Sequence, residues 1–140
     1  MTTAFKQYTP RELYVPIPEP ETLEAENEFD LPFVGFRRTG GVFFDTFMSN
    51  LYRYGIHNAR FHSELLGIKY GEMCVAVNVI TGMIYSDFVA EYILLFADDL
   101  LKKRQKGMDL KDVADRLGFG TYSGFYHFMV RNRKWEKKRR

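Results

Sequence analysis

The sequence predicts an all-α fold in which two helix-turn-helix subdomains are joined by a long central helix and preceded by an extended acidic N-terminal arm. Three features carry this expectation. All five prolines lie between positions 10 and 32. Each removes a backbone donor and biases its predecessor toward extended backbone, which sets the arm apart from a proline-free body that favours helices. A segment over about 86–106 keeps apolar residues at the 3.6-residue helical period. Finally, two eleven-residue windows, beginning at Asn58 and Asp109, align without a gap.

At 140 residues the chain has the length of one ordinary domain, enough to bury a core. Hydrophobic residues make up 46%, and thirteen Phe with nine Tyr supply large side chains for packing. The single cysteine, Cys74, excludes an internal disulfide and a cysteine-based zinc site. It also fits a reducing cytosol, so a cytoplasmic location is expected. The opening MTTAFKQYTP has no basic stretch followed by an apolar run, so no secretory signal is expected. The apolar runs 74–80 and 92–97 fall well short of the roughly 20 residues of a membrane span, and no membrane partner is expected. The net charge of +2 conceals an asymmetry. Residues 1–35 hold two bases and seven acids (net −5), whereas the remainder holds 18 bases and 11 acids (net +7). A basic body fits a polyanionic partner.

The expected organisation is an extended or flexible acidic arm (1–35), a helical body (36–133) and a basic tail (134–140). Within the arm, VPIPEP is polyproline-like or strand-like. ETLEAENE is compatible with one short helical turn or a loose segment, and 29–36 is apolar enough to dock on a core. Gly40-Gly41 opens the first helix of the body. There Val42, Phe43, Phe44, Phe47, Leu51 and Tyr54 fall near helical spacing, and Gly55 ends it. Asn58 caps ARFHSELL, which stops at Gly67. The stretch 70–80, rich in Val and Ile, fits either helix or strand and is closed by Thr81-Gly82. The central helix is capped by Ser86 or Asp87. Phe88, Tyr92, Phe96 and Leu100 step along it, and Lys102, Lys103, Arg104 and Lys106 complement its dipole before Gly107 stops it. Asp109 caps LKDVADRL, with Asp112 as an acidic near-match to a capping box, and Gly118 ends that helix. Thr121 or Ser123 caps the last helix, which runs to about Arg133. The two units thus cover about 41–82 and 108–133.

The repeat aligns NARFHSELLGI with DLKDVADRLGF. Each window has a capping Asn or Asp, a small residue four before the glycine (Ser63, Ala114), a Leu just before it (Leu66, Leu117) and an apolar residue just after it (Ile68, Phe119). In a helix-turn-helix the small residue lets two helices cross closely. The glycine takes the positive φ of the turn, and the apolar residue plugs the shared core. Apolar anchors follow in both: Met73 and Val77 in the first, Phe125 and Met129 in the second.

These residues resemble the homeodomain-like DNA-binding domain of the AraC/XylS family of bacterial transcription regulators. DVADRLGF (112–119) is similar to the second-unit signature of that family, and SGFYHFM resembles its Ser-x-Phe-x-x-x-Phe. Thr81-Gly82, Phe88 and 97–101 fall where the family closes its first recognition helix and runs its linker helix. The resemblance covers about 41–133 and implies seven helices and a DNA-binding regulator or accessory factor. A ligand-sensing domain of the size usual in that family is not expected within these 140 residues. Two departures stand out. VRNRKWEKKRR replaces the family's Gly-x-x-Pro ending, and the first unit's reading slots would hold Gly71, Cys74 and Val75, none of which reads a base edge in bidentate fashion.

Contact with double-stranded DNA is therefore expected to be lopsided. The second unit would present Thr121, Tyr122, Ser123, Tyr126 and His127. Arg131, Arg133, Lys134, Lys137, Lys138, Arg139 and Arg140 would neutralise phosphates, with Lys69 ahead of the first unit's second helix. His57, His62 and Cys74 lack the spacing of a metal set. The Asp residues lack a partner base or phosphate loop, so neither metal, cofactor nor catalysis is expected. The alternative is a helical protein–protein interaction module that keeps the fold without sequence-specific DNA binding and forms a homodimer or partner complex through its apolar first unit. Non-specific nucleic-acid binding through the tail is a third possibility, and an acidic arm folding back on the basic face a fourth idea.

Overall fold

The computed structural model describes residues 7–17, 38–103 and 107–136. These form seven helices and no strand, an all-α fold: α1 (Pro10–Leu13), α2 (Val42–Tyr54), α3 (Ala59–Leu66), α4 (Tyr70–Thr81), α5 (Tyr85–Lys102), α6 (Leu110–Arg116) and α7 (Tyr122–Arg131). The acidic stretch 18–35, the segment 29–36, Arg104, Lys106, Lys137, Lys138, Arg139 and Arg140 lie outside the described residues.

The longest helix, α5, forms the axis of the core. It buries Phe88, Val89, Tyr92, Ile93, Phe96, Ala97 and Leu100, with α1, α4 and α6 packed against it. Its start differs from the expected Ser86 or Asp87 cap. The helix begins at Tyr85, and Ile84 occupies the cap position without a side-chain hydrogen bond. The entry is set from outside: the Thr81 hydroxyl accepts from Met83 N (3.1 Å), and the Tyr85 hydroxyl donates to the His57 carbonyl (2.7 Å). Its end at Lys102 falls short of the expected 106.

In α2 the buried stripe is Phe44, Phe47, Met48 and Leu51, spaced i, i+3, i+4, i+7. Phe47 meets Phe44, His62, Tyr85 and Phe88 at ring-centroid distances of 5.2–6.4 Å. Val42 and Phe43 lie off that stripe and are exposed, and Tyr54 packs by its edge on Phe61 at the helix end. The segment left open between helix and strand is the helix α4. Met73, Val77 and Thr81 recur every fourth residue into the core, while Val75 and Val79 face solvent. Tertiary burial at that period outweighs β-branched propensity. Among the described residues no single helix is long and apolar enough to cross a membrane; α4 and α5 reach that composition only as a pair, bent by 64°.

Over residues 7–17 the arm is latched to the body, which corrects the expectation of an extended or flexible segment there. Pro10 sits in the first helical turn of α1, where a missing N–H costs nothing, and Thr9 and Glu12 form a reciprocal capping box. Tyr8 N donates to the Ile80 carbonyl (2.9 Å). At the far end Asp99 accepts from the Tyr14 hydroxyl (2.6 Å) and from Ile17 N (2.7 Å), while Lys103 pairs with Asp99 and donates to the Ile17 carbonyl. Burial alone would raise the Asp99 carboxyl. The bonds from Tyr14, Ile17 and Lys103 outweigh it and hold the carboxyl below its ordinary value.

The two halves of the body meet backbone to backbone. Ile56 N donates to the Leu117 carbonyl at 2.6 Å, with Gly55 and Gly118 in contact beside it. Beneath this junction His62 is fully buried. Its Nε2 donates to the Gly55 carbonyl (3.1 Å), and Nδ1 is buried without a hydrogen-bond partner. Burial, reinforced by His57, lowers the His62 pKa below its ordinary value despite the Gly55 bond. A depressed folded-state value means stability is present above the unfolded pKa and is lost as pH falls through the folded one. Unfolding free energy should therefore drop as pH goes from about 7 to about 5. In His62→Gln, which keeps a donor for Gly55, the profile should be flatter; equal slopes in the two proteins would refute the assignment.

Candidate nucleic-acid interface

The aligned windows share their cap and their closing turn. Asn58 accepts from Phe61 N (2.9 Å) and Asp109 accepts from Asp112 N (2.9 Å), at equivalent positions. Asp112 returns the bond to Asp109 N, which completes the capping box read from the sequence. Gly67 (φ 70°) and Gly118 (φ 95°) are both left-handed. Each helix closes with the same pair of bonds: Gly67 N to Glu64 and Ile68 N to Ser63 in one, Gly118 N to Asp115 and Phe119 N to Ala114 in the other. This is the Schellman pattern, in which the glycine turns the chain and the next residue carries an apolar contact. Ser63 and Ala114 are buried. Phe119 reaches Phe125 and Phe128 at 5.5 and 5.1 Å, so the residue after the second glycine does plug a core.

Helix α7 follows on α6. Of the two cap candidates it is Thr121 that acts, accepting from Gly124 N (3.0 Å). Phe125, Phe128 and Met129 face inward. That leaves Thr121, Tyr122, Ser123, His127 and Arg131 exposed along one helix. Tyr126 is only half exposed, packed toward Tyr122 (6.4 Å) and Trp135 (6.2 Å). The structure thus uses Tyr126 for packing as well as for the face.

The start of the basic tail belongs to the fold, which moves the expected boundary at 134. Arg133 takes a left-handed conformation (φ 60°), with Arg133 N bonded to Val130 and Lys134 N to Met129. A third Schellman-type closure, with arginine where glycine is usual, therefore ends α7. Trp135 returns to pack edge-on against Phe125 at 5.1 Å, and Lys134 lies 3.6 Å from Asp98 on α5. Both partners of that pair are well exposed, so it contributes little. Arg133→Gly should stabilise the fold by about 0.5–1 kcal/mol, because a side chain in this backbone region is strained. Urea unfolding measures it, and a lower midpoint in the variant would contradict the strain argument.

The first pair presents different chemistry. On α4 the exposed positions include Tyr70, Gly71, Glu72, Val75, Asn78 and Val79, and Cys74 is half-buried. Lys69 is exposed immediately before α4, its backbone N bonded to Glu72 (3.0 Å). Between the pairs lies an open cleft of about 900 Å³, bounded by α4, the start of α5 and the end of α7. Neither the cleft nor Trp135's role was read from the sequence, since both depend on residues far apart along the chain. No known protein family, curated protein or solved structure matches this chain in comparison.

Proposed function

We propose that the chain binds duplex DNA, with α6 and α7 acting as a helix-turn-helix unit whose recognition helix is α7. The observation that carries this reading is the division of α7. Its apolar residues are committed to the core, while Thr121, Tyr122, Ser123, His127 and Arg131 form a solvent-facing strip of hydrogen-bonding and cationic groups. Such a strip contacts phosphates and, less sharply than Arg or Asn, base edges. The matched turn geometry of α3–α4 supports a second helix-turn-helix unit across α5, as the AraC-type resemblance implies. The residues of that unit's second helix are poorly suited to base reading.

The test is a fluorescence-anisotropy titration of labelled duplex with the full chain. If about four phosphates are neutralised, affinity should fall roughly a hundredfold between about 50 and 200 mM salt. Deleting 137–140 should reduce that salt slope while sparing Trp135 and the fold. His127→Ala and Arg131→Gln should each weaken binding. Salt-independent affinity, or full affinity in the deletion and both variants, would overturn the proposal. Weakening with single-stranded competitor would point to tail-mediated nucleic-acid binding.

A second reading, a protein–protein interaction module, is favoured by one observation. The exposed side of α4 carries Tyr70, Val75 and Val79, and its one charged residue is Glu72. It expects a homodimer or partner complex in sedimentation equilibrium and no retardation of DNA.

A further inference from the structure

The cleft of about 900 Å³ has a definite chemistry. Val75, Ile84, Val89 and Phe128 supply apolar walls from three helices, and its volume falls within the range of small-molecule sites. No described Asp or Glu lines it, and Asp87, one turn into α5, is not part of its wall. The formal charge at its edge is Arg131, whose guanidinium lies 5.9 Å over the Phe128 ring and has no carboxylate partner among the described residues. Asn58, Asn78 and Ser86 add hydrogen-bonding groups among the apolar ones. An apolar cleft with one unopposed cation selects for a molecule with an apolar body and a single negative head, because a bare hydrocarbon leaves Arg131 unused and a cation meets it with like charge.

We propose that this cleft binds a small amphipathic monoanion, its hydrocarbon or aromatic body between α4, α5 and α7 and its carboxylate-type head on Arg131. The site joins the two helix pairs, because Tyr70, Cys74 and Val75 come from α4 and Phe128 and Arg131 from α7. It shares Arg131 with the proposed DNA-contacting strip but does not rest on that reading, and it is measured without DNA.

The experiment titrates the full chain with the fluorescent aromatic sulfonate 8-anilinonaphthalene-1-sulfonate, then displaces it with decanoate. Saturable one-to-one binding is expected, with decanoate competing at least about tenfold better than decan-1-ol or decyltrimethylammonium. Arg131→Gln should weaken decanoate by at least about tenfold. So should Val75→Glu, which places a like charge at a position already 61% exposed and so leaves the fold intact by circular dichroism. Cys74, the one cysteine, lies in the wall, so decanoate should also slow its reaction with a thiol reagent. Non-saturable dye binding, equal competition by decan-1-ol, wild-type decanoate affinity in Arg131→Gln, or unchanged Cys74 reactivity would overturn the proposal. Duplex binding without decanoate binding would overturn this site alone and leave the DNA reading standing.

Discussion

Alanine at Gly55 or at Gly118 is expected to cost about 4 kcal/mol or more, whereas alanine at Gly67 should cost only about 1–2 kcal/mol. All three glycines have positive φ, so the sign of φ alone does not separate them. The surroundings separate them. A β-carbon at Gly55 would lie 2.0 Å from the Leu117 carbonyl oxygen. At Gly118 it would lie 2.7 Å from Ile56 N and 2.8 Å from the Tyr54 oxygen, and at Gly67 it would meet nothing within 4 Å. The obstructing atoms are backbone, which cannot swing aside as a side chain would. Gly55 also has φ 82° and ψ −157°, a region essentially restricted to glycine. Relieving either clash means separating the end of α2 from the end of α6, which breaks the Ile56–Leu117 bond and uncovers His62. Since a domain's whole stability is about 5–15 kcal/mol, the Gly55 and Gly118 variants should be largely unfolded or insoluble. Guanidinium unfolding of the three variants decides it, and a Gly55→Ala midpoint as close to wild type as that of Gly67→Ala would defeat the argument.

Arg116→Ala is expected to cost about 2–4 kcal/mol, from loss of a charged hydrogen bond, two cation–π contacts and stem packing. Its guanidinium donates to the Tyr52 carbonyl (2.7 Å) and lies 4.9 Å from the Tyr52 ring centre and 5.0 Å from that of Phe96. Those rings are themselves stacked at 5.2 Å, 1° from parallel. Tyr52 lies in the last turn of α2, where carbonyls lack helical partners and a cation offsets the negative end of the dipole. One side chain of α6 therefore ties together α2 and α5. Arg116→Met should recover part of the loss by restoring the stem. Arg116→Lys should remain below wild type, because a compact ammonium cannot stay close to both rings while donating to Tyr52. Equal stability of the Ala and Met variants would show that the packing contribution is absent, and a Lys variant as stable as wild type would show that the guanidinium's wider reach is irrelevant.

How much of this was legible follows from the range of each interaction. The caps Asn58, Asp109 and Thr121 and the turns at Gly67 and Gly118 each involve partners within five residues, so their side chains announce them. The start of α5 is not legible locally, because Ser86 and Asp87 are good caps in isolation, whereas Tyr85 is drawn in by His57, 28 residues away. The same holds for residues 7–17 of the arm: the prolines speak of local backbone, and the anchor Asp99 lies 82–85 residues downstream. For the candidate site, the strip Thr121, Tyr122, Ser123, His127 and Arg131 follows from helical period. The half-burial of Tyr126 does not, because Trp135 reaches it only through the left-handed turn at Arg133.

What the sequence determined unaided is the helices α2, α3, α5, α6 and α7, the repeated capped unit with its glycine turn, and the contrast between the residues of 70–81 and those of α7, all consequences of local hydrogen bonding and the 3.6-residue period. Only the tertiary structure decided that Gly55 and Gly118 press backbone on backbone while Gly67 stands open, that Arg116 is a tie between helices, and that an apolar cleft with one cation separates the two pairs. These depend on distances between residues remote in the chain, which packing sets and periodicity does not encode.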